Sequence, residues 1–166
     1  QSLEHRGPDS NDSWYSDGIG FSHRRLTILD ISTASNQPMV DNQTGVVISY
    51  NGEIYNYIEI REKLIDKGHI FVSTGDTEVL LRAYIEWKHE LFMEINGMFA
   101  FSIYDPRDNT VFFARDFFGQ KPLFYYHYEE GIIFSSELNS LIKNRTIPRD
   151  IDKEAISEYL LYDTFV

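Results

Sequence analysis

Residues 97–104 limit the fold more than any other part of this sequence, because they predict a strand that is apolar on both faces. Side-chain alternation divides them into two apolar sets, which are Phe99, Phe101 and Ile103 on one face and Met98, Ala100 and Tyr104 on the other. A strand of this kind has to be covered on both sides. We therefore expect a layered domain with residues 97–104 in its interior.

The remaining strand patterns come as hairpins, and the helical patterns come in pairs between them. Strands are predicted at residues 18–29, 46–50, 70–72, 110–114, 123–128 and 132–135, and helices at residues 57–67, 76–87, 136–143 and 152–162. The pair Asn51-Gly52, which follows an apolar run, is typical of a tight hairpin turn. The sequence thus predicts an α+β fold of two antiparallel sheets with helices outside.

The amino-acid composition of the chain limits the classes of partner that it can bind. A length of 166 residues suits one domain, and 26 acidic against 15 basic residues give a net charge of −11, which repels phosphate backbones. We therefore expect no nucleic-acid binding. No apolar run approaches the ~20 residues that span a bilayer, and no leader peptide is visible, so we expect no membrane association and a cytoplasmic location.

The sequence also offers few ligands for a metal ion. It contains no cysteine, which excludes disulfides and a thiol nucleophile within these residues. Its five histidines lack the spacing of metal ligands, and no glycine-rich phosphate loop occurs. No metal site is therefore expected.

Arg25, Asp76 and the run Asn51-Gly52-Glu53 could carry chemistry, and the sequence alone leaves two interpretations of each. A buried guanidinium needs an anion, which is either a structural carboxylate or a ligand. Asp76 is either a helix N-cap or a fixed charge for an ammonium group. The Asn-Gly pair is either a turn or a pair of donors for an oxyanion. Together, these side chains suit an amino-acid zwitterion.

Seven short motifs follow one another along the chain: residues 5–9 (HRGPD), 23–30 (HRRLTILD), 51–57 (NGEIYNY), 76–81 (DTEVLL), 97–101 (GMFAF), 114–123 (ARDFFGQKPL) and 136–138 (SEL). In this order they closely resemble the class II glutamine amidotransferase domain of asparagine synthetases. The resemblance covers nearly the whole chain.

This resemblance implies an N-terminal nucleophile hydrolase-like fold, a four-layer α/β/β/α sandwich of two antiparallel sheets, incomplete here at its N-terminus. It implies that glutamine is hydrolysed to glutamate through a thioester on an N-terminal cysteine. Ammonia then passes to a synthetase domain for ATP-dependent amidation of aspartate. No cofactor is expected in residues 1–145, the glutaminase domain. ATP and Mg belong to the synthetase domain, to which residues 146–166 are expected to lead. A homodimer is implied as well.

The resemblance assigns substrate-binding roles to five residues. Arg25 would bind the α-carboxylate of L-glutamine, and Glu53 with Asp76 would bind its α-ammonium group. Leu26 and Ile28 would line the pocket.

For catalysis, the resemblance implies an oxyanion hole made by Asn51 and Gly52, with Arg6 near the exit for ammonia. Because the cysteine is not in this sequence, these 166 residues alone are expected not to hydrolyse glutamine. Phe117 stands where the family usually has a basic residue, which leaves contacts to the synthetase domain open. Two alternatives also remain open, which are a family member with another acceptor and a glutaminase-like module that binds without catalysis.

Overall fold

The structure, a computed structural model, describes residues 3–26, 30 and 32–163. Its strands are β1 (Ser10–Ser16), β2 (Ile19–Arg25), β3 (Met39–Val40), β4 (Val47–Ile54), β5 (Gly97–Asp105), β6 (Thr110–Arg115), β7 (Phe124–Tyr128) and β8 (Gly131–Ser135). Its α-helices are α1 (Tyr57–Asp66), α2 (Asp76–Trp87), α3 (Leu138–Leu141) and α4 (Lys153–Tyr162). Short 3-10 helices lie at Glu4–Arg6, Thr33–Ser35 and Lys88–Met93. None of the described helices combines the length and apolar character needed to cross a membrane.

A four-stranded antiparallel sheet of order β3-β4-β5-β6 forms the centre of the domain. In it, β5 pairs with β4 on one side and with β6 on the other. All residues of β5 from Phe99 to Asp105 are buried, so the prediction that this strand is covered on both faces is confirmed.

Helices cover one face of this sheet, and hairpins cover the other. On the helical face, the buried apolar residues of α1 and α2 belong to one cluster with Ile48, Phe101 and Ile103. On the opposite face, Phe21 and Tyr104 form a second cluster, against which Phe134 of β8 packs. The short helix α3 lies against the hairpin of β7 and β8. The order of layers is helix, sheet, hairpins and helix.

The hairpin predicted at Asn51-Gly52 is wrong, because β4 continues straight through this pair. Gly52 is needed there for a close approach: a Cβ at this position would lie 2.3 Å from the Met98 carbonyl oxygen of β5. The tight turn lies instead at Asp17-Gly18, between β1 and β2, where the φ angles are 51° and 81°. The strand β1 was not predicted.

The strand predicted at residues 70–72 is also wrong, because a side chain takes the hydrogen bonds that a neighbouring strand would need. The Glu78 carboxylate accepts the backbone N–H groups of Val72 and Ser73, at 3.1 and 2.7 Å. This segment is thereby fastened to the first turn of α2. The helix predicted at residues 136–143 shortens to Leu138–Leu141.

Leu64 and Ile65 test the packing of α1, because only the first of these two neighbouring apolar residues is buried. Leu64 is fully enclosed, whereas Ile65 is 52% exposed. We expect Leu64→Ala to lower the free energy of unfolding by about 2–5 kcal/mol, because it leaves a cavity in the core. Ile65→Ala, the matched control, should cost less than about 1 kcal/mol. Urea denaturation measures both, and equal losses would contradict this packing.

Candidate functional site

A cavity of about 700 Å³ lies beside β4, where β2, the loop after it, the start of α2 and β8 meet. This volume falls in the range of small-molecule sites. The cavity is lined by every predicted site residue that the structure describes: Arg6, Arg25, Leu26, Asn51, Gly52, Glu53 and Asp76. Ile28 lies outside the described residues.

Arg25, the last residue of β2, brings a buried positive charge to the cavity. Its Nη1 donates to the Ser32 carbonyl oxygen and to Asn36 Oδ1, both at 2.9 Å, and its Nη2 donates to the Asp30 carbonyl oxygen. All three acceptors are neutral. Within the described ranges no carboxylate forms an ion pair with Arg25, so of the two interpretations the structural carboxylate is not found.

His23, two residues earlier on β2, also lines the cavity. Its Nδ1 lies 3.2 Å from Ser49 Oγ. Burial, together with the positive charge of Arg25, lowers the pKa of His23 from 6.5 to about 4. The imidazole is therefore neutral at pH 7 and adds no second cation beside Arg25.

Asp76 does not cap α2, which corrects the simpler of its two interpretations. Gly75 is the N-cap, and no side chain caps the helix at this end. The Asp76 carboxylate reaches across to β4 instead, where its Oδ2 accepts the Tyr50 hydroxyl at 2.8 Å and the Ile54 N–H at 3.0 Å. Burial of the Tyr50 hydroxyl, together with this neighbouring charge, raises the pKa of Tyr50.

Asp76 also keeps one oxygen available to the cavity. Its Oδ1 accepts no hydrogen bond from any residue that the structure describes. This oxygen is also not fully enclosed by protein atoms, so a ligand can reach it. The carboxylate therefore holds β4 with one oxygen and offers the other to a ligand.

Glu53 adds a second unpaired negative charge. Its side chain is half-buried, and among residues 3–26, 30 and 32–163 it forms no hydrogen bond or ion pair. Its charge contributes to the raised pKa of Tyr50, so it acts close to the Tyr50–Asp76 pair. One cavity thus holds a cation without an anionic partner and two anions without a cationic partner.

The N–H of Gly52 is a free donor at the edge of β4. Successive backbone N–H groups of a strand point to opposite edges, and those of Tyr50 and Ile54 point away from β5, towards Gln37 and Asp76. Gly52 lies between them, so its N–H points the same way. No described residue accepts it. The Asn51 side chain, which also lines the cavity, has no hydrogen-bond partner within the same part of the chain.

Asp30, for which no role was predicted, organises the loop that surrounds Arg25. Its carboxylate accepts the Ser32 N–H at 2.7 Å, the Ser35 hydroxyl at 2.8 Å and the Thr74 N–H at 2.8 Å. These hydrogen bonds, those from Ser32 and Thr74 above all, hold the pKa of Asp30 well below its usual range. Its position at the end of the 23–30 motif was the signal available in the sequence.

Arg6 and Leu26 lie at the periphery of the site. Arg6 Nη1 donates to Glu137 Oε1 at 3.4 Å, and His5 Nε2 lies 2.8 Å from the same oxygen. Leu26 is 57% exposed. In the described part of the chain, no group of three or more His, Cys, Asp or Glu residues could hold a metal ion.

The chain is similar to known proteins over nearly its whole length. A family model described as a glutamine amidotransferase domain matches residues 1–166. The glutamine-hydrolyzing asparagine synthetase 1 of Bacillus subtilis (strain 168) is 41% identical over 162 residues, which are 98% of this chain and 25% of that protein. The glutamine-hydrolyzing asparagine synthetase 3 of the same strain is 39% identical, over 94% of this chain and 26% of that protein. This chain therefore spans about a quarter of the length of these relatives.

Among solved structures, a glutamine phosphoribosylpyrophosphate amidotransferase from B. subtilis superimposes with a TM-score of 0.59. It is 23% identical over 72% of this chain and 28% of that chain. At this identity the likeness concerns the fold alone. It confirms the predicted α+β, N-terminal nucleophile hydrolase-like fold.

Asp30 gives a pH-dependent test of the loop around Arg25. We expect Asp30→Asn to lower the free energy of unfolding at pH 7 by about 1–3 kcal/mol, because buried donors lose a charged acceptor. The folded state depresses the pKa of Asp30, so the stabilisation is present above the ordinary value near 4 and is lost as the pH falls below it. The difference between wild type and variant should therefore narrow from pH 5 downward.

Urea denaturation at several pH values measures this difference. The exposed Asp150 provides the control, since Asp150→Asn should change the free energy of unfolding by less than about 0.5 kcal/mol at pH 7. A difference for Asp30→Asn that stays constant down to low pH would show that its charge does not stabilise the loop.

Proposed function

This chain belongs to the glutamine amidotransferase domain family, and on that basis we propose that its cavity binds L-glutamine for hydrolysis to glutamate and ammonia. Glutamine carries a carboxylate and an ammonium group on one carbon and an amide at the other end. The cavity offers a buried guanidinium, two carboxylates and a pair of amide donors to these three groups.

The observation that carries the proposal is the set of unpaired charges in one cavity. Among the described residues, Arg25 has only neutral partners, and neither Asp76 nor Glu53 has a cationic partner. Charges that are removed from water without a partner are costly, so this arrangement favours a ligand that bears both signs. We assign the α-carboxylate to Arg25 and the α-ammonium group to Asp76 and Glu53.

The donors at the edge of β4 fit the reacting end of the substrate. In the proposed reaction a thiolate attacks the side-chain amide carbon, and the amide oxygen becomes an oxyanion. The Gly52 N–H and the Asn51 side-chain NH₂ would stabilise that charge. A thioester forms as ammonia leaves, and water then releases glutamate.

The thiol would come from outside these 166 residues, which contain no cysteine. The cavity has room for an additional segment. Consecutive residues 22–25 of β2 and 132–135 of β8 line it, so it runs along the edges of both strands rather than along alternating faces. In the described chain these two strands belong to separate two-stranded sheets. An extended segment between them would reach the edge of β4.

We further propose that the whole protein is a glutamine-dependent asparagine synthetase, in which ammonia is passed to a second domain that uses ATP and Mg to amidate aspartate. The two asparagine synthetases of B. subtilis that match nearly the whole chain support this acceptor. A family member with another acceptor would share the same cavity, so the acceptor has to be tested separately.

Binding of glutamine to the 166-residue chain tests the recognition step without the thiol. We expect Arg25→Gln to weaken L-glutamine binding by about 10- to 100-fold, because the bidentate, charged hydrogen bonding of Arg25 to the α-carboxylate of the ligand is lost. Arg115→Gln is the matched control, since Arg115 also donates only to loop carbonyls, of Gly119 and Lys121, and does not line the cavity. The affinity of the Arg115→Gln variant for L-glutamine should change less than about threefold.

Isothermal calorimetry measures both affinities, with D-glutamine and L-glutamate as competing ligands. Equal weakening by the two arginine variants, or unchanged binding by Arg25→Gln, would refute the role of Arg25.

Hydrolysis and the acceptor are tested on the full-length protein that contains this sequence. We expect release of glutamate from glutamine, abolished by an alkylating agent that modifies the thiol, and formation of asparagine when aspartate and ATP are added. Ammonia release without asparagine would indicate another acceptor. No hydrolysis by an intact protein that carries the thiol would indicate a module that only binds.

A further inference from the structure

The edge of β4 that faces the cavity presents three backbone N–H groups in a row, and only the middle one is free. The Tyr50 N–H donates to Gln37 Oε1 at 2.6 Å, and the Ile54 N–H donates to Asp76 Oδ2 at 3.0 Å. The Gly52 N–H between them has no acceptor among the residues that the structure describes. Gly52 is half-buried and lines the cavity, so this donor is open to a ligand there.

Gln37 connects that edge to the helix layer. It is buried, and its Nε2 donates to Thr77 Oγ1 in the first turn of α2, at 3.3 Å. Its two amide ends thus bind β4 and α2 at once. Thr77 follows Asp76 directly, so the two side chains that bind the edge of β4 are held by the same helical turn.

The backbone on the other side of Gly52 is equally confined. A Cβ at this position would lie 2.7 Å from the Tyr50 ring and 2.8 Å from the Cα of Phe99. The Tyr50 hydroxyl is in turn bound to Asp76. Gly52 therefore has little freedom to rotate its peptide plane as long as the contacts of Tyr50 and Ile54 are intact.

We propose that Gln37 is a positioning residue, which fixes the direction of the free Gly52 N–H so that it can stabilise the oxyanion formed from the glutamine amide. This inference rests on the proposed glutaminase activity. Gln37 lines the cavity, but both ends of its amide are bound to protein groups, so it would act on the substrate through the edge of β4. It binds the Tyr50 N–H and thereby prevents the edge of β4 from turning. Oxyanion donors act through their pre-set direction, so a small rotation should reduce catalysis more than substrate binding.

The test compares two ligands in the full-length protein. One is L-glutamine. The other is its aldehyde analogue, in which CHO replaces the amide. The thiolate adds to the carbonyl carbon: a C–S bond forms, the C=O π bond breaks, and its electron pair moves to the oxygen, which becomes an oxyanion. We expect Gln37→Met, which keeps the size but loses the acceptor, to weaken binding of the aldehyde at least tenfold. The kcat for glutamine should fall in parallel, while its KM changes less than about threefold.

Thr77→Val provides a second variant, which removes only the hydroxyl that holds the Gln37 amide. We expect this variant to lose less affinity for the aldehyde than Gln37→Met does, but at least threefold, because the hydrogen bond from the Tyr50 N–H to Gln37 remains. If Gln37→Met does not fold, Thr77→Val tests the proposal instead. The quantity compared is the ratio of its affinity for the aldehyde to its affinity for glutamine.

Thr44→Val is the control in the loop before β4. Thr44 Oγ1 donates to Asp41 at 2.6 Å and accepts the Val46 N–H at 3.3 Å, outside the cavity, so this variant removes two hydrogen bonds near the other end of the strand. Its kinetics should match those of the wild type within about twofold.

Three results would overturn the proposal. The first is a ratio of aldehyde affinity to glutamine affinity that is unchanged in the Gln37 and Thr77 variants. The second is a rise in the KM of these variants for glutamine without a fall in kcat. The third is a loss of aldehyde affinity in the Thr44 control that equals the loss in these variants. A wild-type protein that neither binds nor hydrolyses glutamine would instead refute the proposed function itself, so the two failures are distinguishable.

Discussion

The contact between the Asp76 carboxylate and the edge of β4 is the interaction on which the site depends. One oxygen binds the Tyr50 hydroxyl and the Ile54 N–H, and so joins the first turn of α2 to the central sheet. The contact places the start of a helix, the middle of a strand and a free backbone donor around one cavity. It also leaves the second oxygen of the same carboxylate without a hydrogen bond from the described residues, so in the proposed site one side chain would serve both the fold and the recognition of a ligand.

Electrostatics in the cavity follow from how its charged groups are bound. Arg25 is surrounded by carbonyl and amide oxygens of a loop, and Asp30 holds that loop in place through hydrogen bonds to Ser32, Ser35 and Thr74. The protein thus stabilises the guanidinium without neutralising it. Because His23 beside it is neutral at pH 7, Arg25 supplies the buried positive charge at this point of the cavity, and Glu53 and Asp76 supply negative charges. A zwitterion is the simplest ligand that matches both.

The errors of the sequence-based predictions have specific physical causes. Asn51-Gly52 has the composition of a turn, but its glycine serves the close approach of β4 to β5, and only the paired backbone reveals this. Residues 70–72 have the composition of a strand, but the Glu78 carboxylate accepts the N–H groups of Val72 and of the next residue, Ser73. In both cases a partner distant in the sequence, or a side chain rather than a strand, decides the local structure. Local pattern cannot indicate such a partner.

The sequence by itself determined the layered α+β architecture, because a strand with two apolar faces has to lie between layers, and it determined the family through its ordered motifs. The sequence also indicated which charged residues belong to the candidate site. Only the tertiary structure showed, for the residues that it describes, that Arg25 has no carboxylate partner, that Asp76 binds β4 instead of capping its helix, and that the Gly52 N–H has no acceptor. The reason is that the type of a residue is written in the sequence, whereas the partner of a buried polar group is set by segments that meet only when the chain folds.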